Sequence, residues 1–246
     1  MTGAVTVLLV HGIRASRTMW RPQLAALEEA GIAALAPDLP GHGERAGETF
    51  TLDGARGAVE EAARSAGGAV VVVGLSLGGY LTLHWAARTE QRVAGVLAAG
   101  CSTVPRGPGL AAYRRVAALI GRLPDGGRWL NDTLARVALP PAALADLHEG
   151  GMELGVMDAA LAAVGGLDPL ADLRAVDAPV RLVNGRWDHF RTQERRFLAA
   201  CRDGRLDIVP GATHLVSLVR PEEFNRIMLD LVEEVAPGSV RTARSG

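Results

Sequence analysis

Short apolar runs alternate along the chain with longer stretches of mixed polarity. The runs are rich in valine, end in glycine, proline or a polar residue, and cover residues 5–10, 32–36, 69–73, 93–98, 180–183 and 206–209. Because they are apolar at consecutive positions, both faces of each segment must be buried, which is typical of parallel strands between layers of helices. The pattern therefore predicts a series of buried parallel strands.

The stretches between the runs carry the apolar periodicity of helices. The clearest of them are residues 20–30, 53–65, 77–88 and 221–235. Strand, helix and strand at this spacing form right-handed βαβ units. We therefore predict an α/β fold in which a mostly parallel sheet of about six strands has helices on both faces.

One region interrupts this alternation. Residues 101–166 contain no convincing strand and are rich in alanine, leucine and arginine, with proline and glycine turn signals between helix-like segments. We predict that they form a helical cap inserted into one discontinuous core domain, residues 1–100 and 167–235. Residues 236–246 lack an apolar pattern and are predicted to be a flexible tail.

The composition excludes several classes of protein. Hydrophobic residues make up 48% of the 246 residues, charged residues make up 22%, and the net charge is −1. These values are typical of a globular chain and argue against disorder or a nucleic-acid partner. All 26 basic residues are arginine, so neither lysine Schiff-base chemistry nor a Walker A loop is possible. The expected partner is a small-molecule substrate.

Cysteine usage and hydropathy give expectations about metals and location. Cys101 and Cys201 lie far apart in sequence, so they predict neither a disulfide scaffold nor a zinc site, and no metal is expected. No signal peptide is evident, and no uncharged stretch reaches the roughly 18 residues that a membrane span needs. We expect a cytoplasmic protein without a membrane span. Monomer and dimer both stay open.

Residues 74–78, Gly-Leu-Ser-Leu-Gly, match the pattern G-x-S-x-G. They follow one predicted strand directly and open a predicted helix. Such a turn holds Ser76 in a strained conformation that exposes its hydroxyl as a nucleophile at the carboxyl edge of the sheet. It also places the amide of Leu77 at a helix amino terminus, where negative charge is favoured. The alternative is a serine that only caps a helix in a glycine-rich turn.

A nucleophilic serine needs a histidine base and a carboxylate that orients it. His214 follows the predicted strand 206–209, and Asp188 follows the predicted strand 180–183. The resulting chain order of Ser76, Asp188 and His214 is the one expected for a nucleophile on this kind of turn. The rival bases are His42, His84, His148 and His189, and the rival acids are Asp168 and Asp172.

An oxyanion hole needs a second backbone amide besides that of Leu77. Gly12 closes the first predicted strand and allows close approach of the backbone to a substrate, so the amide of Ile13 is the expected donor. An ordinary strand-ending turn is the alternative. Side chains near these turns are candidates for substrate contact: His11, Trp20, Trp187 and His189.

Taken together, these motifs resemble the α/β-hydrolase superfamily. They are His11-Gly12, the Pro-Asp-Leu-Pro-Gly-His-Gly segment at 37–43, the serine turn at 74–79, Gly-Arg-Trp-Asp at 185–188 and Gly-Ala-Thr-His at 211–214. The similarity is to the small capped esterases, thioesterases and lipases. It implies that the cap shapes the substrate pocket. Because residue 76 is serine and not aspartate, the resemblance argues against dehalogenase or epoxide hydrolase chemistry.

The sequence thus predicts a cofactor-independent serine hydrolase that acts on a carboxylic ester or thioester of a small to medium apolar substrate. A C–C bond hydrolase, a lactonase or a perhydrolase-like enzyme could use the same triad. A second alternative is a non-catalytic ligand-binding receptor on the same fold, since fold alone does not determine function.

Overall fold

The computed structural model describes residues 5–238. Its centre is one parallel sheet of six strands in the order β2-β1-β3-β4-β5-β6. The prediction of a mostly parallel six-stranded sheet is confirmed, and every strand pair in it is parallel. The strands are β1 (Val5–Val10), β2 (Ala33–Leu35), β3 (Ala69–Leu75), β4 (Val93–Ala99), β5 (Val180–Gly185) and β6 (Gly204–Val209).

Helices follow the strands in the predicted alternation. In chain order they are α1 (Arg21–Glu29), α2 (Leu52–Ser65), α3 (Leu77–Ala86), α4 (Pro108–Ile120), α5 (Arg128–Ala138), α6 (Pro141–Glu149), α7 (Met157–Gly165), α8 (Pro169–Ala175), α9 (Glu194–Leu198), α10 (Val216–Val219) and α11 (Pro221–Val235). Short 3-10 helices lie at Arg17–Trp20, Gly43–Arg45 and Leu154–Val156.

Side chains alternate between two hydrophobic cores, one on each face of the sheet. In β1, Val7 and Leu9 pack into the core that includes α11, whereas Leu8 and Val10 pack into the core that includes α3. All four side chains are completely buried. Each therefore contributes about 1.5–3 kcal/mol of burial free energy, which explains why the strand is apolar at consecutive positions.

The register of the strands brings several strand ends to one edge of the sheet. Val10 of β1 lies opposite Gly74 of β3, and Gly185 of β5 lies opposite Val209 of β6. Since all strands are parallel, the loops that follow them emerge at the same edge. The turn after β1, the serine turn after β3 and the loops after β5 and β6 are therefore neighbours.

Residues between β4 and β5 form helices α4 to α8 and contain no strand within this described segment. Helices α6 and α7 bury apolar side chains, whereas α4 and α5 bury none completely. The hydroxyl of Thr18 donates a hydrogen bond of 2.6 Å to the carbonyl of Asp146, which attaches α6 to the loop after β1. This region includes the segment that we predict to be the cap.

Two further details concern the ends of elements. Helix α11 ends at Val235, and Ala236 after it is still buried. Of the predicted tail, residues 239–246 lie outside the described residues.

Within residues 5–238, no single helix has the length and hydropathy of a membrane span. The helical segments Leu154–Gly165 and Pro169–Ala175 reach that length and hydropathy only when taken together, across a bend of 61°.

Candidate active site

Ser76 occupies the turn between β3 and α3. Its backbone has φ 57° and ψ −115°, a conformation that residues other than glycine rarely adopt. Its amide donates a hydrogen bond of 2.8 Å to the carbonyl of Ala99 at the end of β4, which anchors the turn to the sheet. Backbone strain of this kind is typical of functional positions that the surrounding structure holds in place.

Glycines on both sides of Ser76 are required by close packing. A Cβ atom on Gly74 would overlap the carbonyl group of Gly78, and one on Gly78 would overlap the carbonyl oxygen of Val10. A Cβ on Gly79 would lie 2.8 Å from the Sγ of Cys101. The helix can therefore begin directly against the sheet only because these positions have no side chain.

His214 and Asp188 form a hydrogen-bonded pair on neighbouring loops. The Nδ1 of His214 lies 3.1 Å from the Oδ1 of Asp188. A carboxylate only accepts, so Nδ1 donates and Nε2 is the nitrogen left for a further partner. His214 also lies near the serine turn, because a Cβ on Gly100, the residue after Ala99, would lie 3.0 Å from the His214 ring.

The environment of Asp188 favours its ionised form. Burial on its own raises the pKa of this carboxyl. The hydrogen bonds from His214 and from the amide of Phe190 lower the pKa by more than burial raises it, so the pKa lies below its ordinary value. The Phe190 amide donates to Oδ1 at 2.8 Å. Asp188 is thus charged at neutral pH and can hold the imidazole of His214 in one tautomer.

Two backbone amides are candidates for binding an oxyanion. Leu77 is the first residue of α3, so its amide has no acceptor within the helix. The turn after β1 lies beside the serine turn, since a Cβ on Gly12 would be 3.6 Å from the Cβ of Ser76. Ile13 follows Gly12 directly and is half-buried. The assignment of the Ile13 and Leu77 amides stays a prediction.

His11 lies beneath this turn and is completely buried. Its Nε2 accepts a hydrogen bond of 3.0 Å from the amide of Leu39, so the protonated Nδ1 donates to the carbonyl of Gly12 at 2.8 Å. Burial and the neighbouring His42 lower the pKa of His11 to about 4. Both ring nitrogens are therefore hydrogen-bonded inside the protein, and the ring connects the turn after β1 to the loop after β2. No nitrogen is left for the substrate contact predicted from sequence.

The other predicted pocket residues are scattered. Trp20 is completely buried, and its ring centroid lies 6.0 Å from that of Phe224 in the core. Trp187 is 71% exposed. The ring of His189 lies 5.2 Å from that of His214. The pKa of His189 is lowered mainly by burial and to a lesser degree by the charge of His214. Of these residues, only His189 lies next to the candidate base.

The rival bases and acids have partners elsewhere. His84 and Asp172 contact each other at 3.3 Å between α3 and α8, and Asp168 caps α8 by accepting the amide of Ala171 at 3.1 Å. His42 is buried, and its Nδ1 donates to the carbonyl of Pro40 at 3.0 Å. His148 is an exposed residue of α6. The remaining rival, His189, lies beside His214, but it is His214 whose Nδ1 is hydrogen-bonded to the carboxylate of Asp188.

Two aromatic residues that the sequence analysis did not select lie beside His214. The ring of Phe190 is 4.9 Å from that of His214, and Tyr113 of α4 packs edge-on against Phe190 at 5.9 Å. Phe190 could have been selected because it lies two residues after Asp188. Tyr113 could not, since its contact depends on how α4 packs over the sheet. Together they form an apolar wall, here called the aromatic wall.

No metal site is evident among residues 5–238, because no three His, Cys, Asp or Glu side chains are grouped there as ligands.

The candidate active site consists of a strained serine, a histidine–carboxylate pair and two candidate amide donors at the edge of a parallel sheet. A parallel sheet between helices, with a G-x-S-x-G turn between one of its strands and the following helix, is typical of the α/β-hydrolase fold.

Comparison with known proteins gives the family. The model of the alpha/beta hydrolase family matches residues 7–227, so the chain belongs to this family of hydrolases. The chain is 29% identical over 252 residues to a Variovorax paradoxus (strain S110) protein that is a carbamate hydrolase by name, RutD, with 94% of this chain and 93% of that protein covered.

Solved structures share the fold. A malate-bound thermophilic esterase from Thermogutta terrifontis is 24% identical, with a TM-score of 0.77 and coverage of 96% of this chain and 92% of that one. The enol-lactonase from Burkholderia xenovorans LB400 is 20% identical, with a TM-score of 0.76 and coverage of 94% and 92%. At these identities the likeness concerns the fold alone.

Proposed function

We propose that this chain is a serine hydrolase that transfers an acyl group from a carboxylic ester or a related carbonyl compound to water. Ser76 is the nucleophile, His214 is the general base, and Asp188 orients and stabilises the imidazole. The amides of Ile13 and Leu77 bind the oxyanion. The reaction needs no metal or organic cofactor, because the acyl-enzyme forms on a side chain of the protein.

In the first half of the reaction, the Oγ of Ser76 attacks the carbonyl carbon while the Nε2 of His214 accepts its proton. The charge that develops on the carbonyl oxygen is stabilised by the two amides, each of which contributes about 3 kcal/mol in such sites. His214 then protonates the leaving group. In the second half, His214 activates a water molecule that cleaves the acyl-enzyme and regenerates Ser76.

One observation carries the proposal: the strained turn of Ser76 and the hydrogen bond between His214 and Asp188 occur together at one edge of the sheet. A serine that only caps a helix needs neither a positive φ nor a histidine–carboxylate pair nearby. The side chain of Ser76 also makes no capping hydrogen bond to α3. These facts favour a nucleophile over a structural serine.

The aromatic wall indicates which kind of substrate the site accepts. Phe190 and Tyr113 offer an apolar surface within reach of His214, which suits a small to medium apolar group on the substrate. Proteins similar to this chain are named as a carbamate hydrolase, an esterase and an enol-lactonase. Esters, carbamates and lactones all react through attack on a carbonyl, so they form the first panel of substrates.

The proposal is tested with a fluorophosphonate probe and a series of p-nitrophenyl esters of increasing acyl length. The wild-type protein should be labelled and should hydrolyse the shorter esters, and Ser76→Ala should lose the labelling and at least about 10³-fold of kcat. Ser102→Ala is a matched control, because Ser102 is buried and its hydroxyl hydrogen-bonds the side chain of Asn184 at 3.3 Å.

Labelling of the Ser76→Ala variant at the wild-type level would refute the assignment of the nucleophile. Binding of panel substrates without turnover by the wild-type protein would instead support the receptor alternative. A preference for lactones or carbamates over esters would keep the mechanism and change the substrate class. The acyl length that gives the highest kcat/KM reports the depth of the pocket.

A further inference from the structure

Arg14 has an unusual backbone conformation beside the candidate oxyanion amide. It follows Ile13 and has φ 63°, the only residue besides Ser76 in the described chain that has a positive φ without being glycine. It is the third residue of a turn that the hydrogen bond from Ala15 to Gly12 closes at 3.3 Å. Glycine or asparagine is the usual residue at such a position. A long cationic side chain therefore stands at a position where glycine would relieve the backbone strain.

The guanidinium of Arg14 is held in one orientation by helix α5. Its Nη1 donates a hydrogen bond of 2.7 Å to the Oδ1 of Asn131. The amide nitrogen of Asn131 in turn lies 3.2 Å from the Sδ of Met152. Since Asn131 occupies Nη1, the opposite edge of the guanidinium, formed by Nε and Nη2, keeps both of its N–H donors.

This Nε–Nη2 edge has no partner among residues 5–238. The Nε of Arg14 is a buried nitrogen without an acceptor, and no carboxylate in the described chain pairs with this arginine. The next arginines along the chain differ. Arg17 pairs with Asp38 and Glu44, and Arg21 pairs with Asp146 and Glu149. Burying a charged donor without a partner is unfavourable unless a ligand supplies one.

We propose that the Nε–Nη2 edge of Arg14 binds a carboxylate of the substrate. The edge presents two parallel N–H donors, the geometry that matches a carboxylate in a bidentate pair. Because Arg14 directly follows Ile13, whose amide is the candidate oxyanion donor, the bound carboxylate would lie beside the oxyanion site. The substrate is then a monoester or related derivative of a dicarboxylic acid. This inference rests on the proposed function and narrows it.

The test compares acid-bearing esters with neutral esters of matched length. Monomethyl malonate, succinate, glutarate and adipate are assayed against the methyl esters of butanoate, pentanoate, hexanoate and heptanoate. For the wild-type protein, kcat/KM should be highest for one acid-bearing ester, with its neutral counterpart at least about tenfold lower, since a hydrogen bond to a charged group contributes about that factor.

The matched variants are Arg14→Asn and Arg56→Asn. Asparagine tolerates a positive φ, so Arg14→Asn keeps the turn and removes the charge. We expect the ratio of kcat/KM for the acid-bearing ester to that for the neutral ester to fall by about 10- to 100-fold, mainly through KM. Arg56 is exposed on α2 and carries the same charge, so Arg56→Asn should leave the ratio unchanged. Arg14→Lys should restore only part of it, because an ammonium cannot form the bidentate pair.

The outcomes separate this inference from the proposed function. If neutral esters are hydrolysed with dependence on Ser76 but acid-bearing esters have no advantage, the carboxylate site is refuted and the hydrolase proposal stands. An equal fall of the ratio in Arg14→Asn and Arg56→Asn would also refute it, because the effect would then come from overall charge. If neither series is turned over and Ser76 is not labelled, the proposed function itself fails.

Discussion

At the scale of single residues, the imidazole of His11 is completely buried and links two loops. His11 directly precedes Gly12 at the candidate oxyanion turn, which made it a candidate for substrate contact. Its ring points into the protein, because Leu39 and Gly12 use both nitrogens. The same imidazole therefore matters for stability, as it joins the end of β1 to the loop after β2.

The buried neutral state of His11 makes stability depend on pH. Its pKa is about 4 in the folded protein, compared with 6.5 for an ordinary histidine. Above pH 6.5 neither state is protonated, and between pH 6.5 and 4 only the unfolded state binds the proton. The contribution of His11 to the free energy of unfolding should therefore fall by about 3 kcal/mol as pH is lowered through this window, as measured by urea denaturation at several pH values.

The variant that checks this prediction is His11→Gln, which removes the titrating group. We expect the decline of unfolding free energy between pH 6.5 and 4 to be shallower than in the wild-type protein, whatever its stability at neutral pH. His148→Gln, at an exposed position on α6, should keep the wild-type decline. An unchanged decline in His11→Gln would mean that other groups, such as the buried His42, cause it.

At the scale of elements, the turn between β3 and α3 shows why a five-residue motif was informative. Gly74 and Gly78 are needed because their neighbours are backbone atoms, which cannot move aside. A pattern that depends on backbone geometry can be recognised without knowledge of the rest of the fold. The same holds for α11, whose observed bounds, Pro221–Val235, are the predicted ones, since proline opens it and its apolar stripe is regular.

Replacement of Gly78 by alanine should be strongly destabilising. The new methyl group would overlap the carbonyl oxygen of Val10 in β1, so α3 must shift away from the sheet. We expect a loss of about 3 kcal/mol in the free energy of unfolding. Gly57→Ala is the matched control, because Gly57 lies in the middle of α2 with no atom near the added methyl group. It should gain about 0.5–1 kcal/mol from helix propensity.

Both glycine variants are compared by chemical denaturation under one set of conditions. A loss of stability in Gly57→Ala similar to that in Gly78→Ala would show that the destabilisation comes from the substitution itself and not from packing at the serine turn. Labelling of Gly78→Ala by the fluorophosphonate probe should also fall, because the shift of α3 moves Leu77 together with Ser76.

At the scale of the whole molecule, the parts that the sequence did not predict are contacts between distant segments. The hydrogen bond between Arg14 and Asn131 joins residues 117 positions apart. The aromatic wall likewise combines Tyr113 of α4 with Phe190 after β5. Periodicity and turn signals are local, so they predicted the strands, most helices and the order of the candidate triad. They carry no information about how α4 and α5 lie over the sheet.

Helices α4 and α5 differ from the core in how they are held. Neither has a completely buried side chain, and several of their large apolar residues are exposed: Val116, Leu119, Trp129, Leu134 and Val137. Helix α11 is of similar length to α4 but buries Phe224, Ile227, Met228, Leu231 and Val232. Because packing supplies most of a helix's stability in a protein, α4 and α5 should open without unfolding the sheet.

Native-state hydrogen exchange measures this difference directly. Amides of α4 and α5 should exchange through openings of about 2–4 kcal/mol, whereas those of β3, β4 and α11 should approach the global free energy of unfolding, about 5–15 kcal/mol. A bound carboxylate ligand should slow exchange in α5 more than in α4, because Asn131 of α5 bonds Arg14. Equal protection of α5 and β3 without ligand would mean that the helices over the site are as firmly packed as the core, and entry of substrate would then have to occur without their opening.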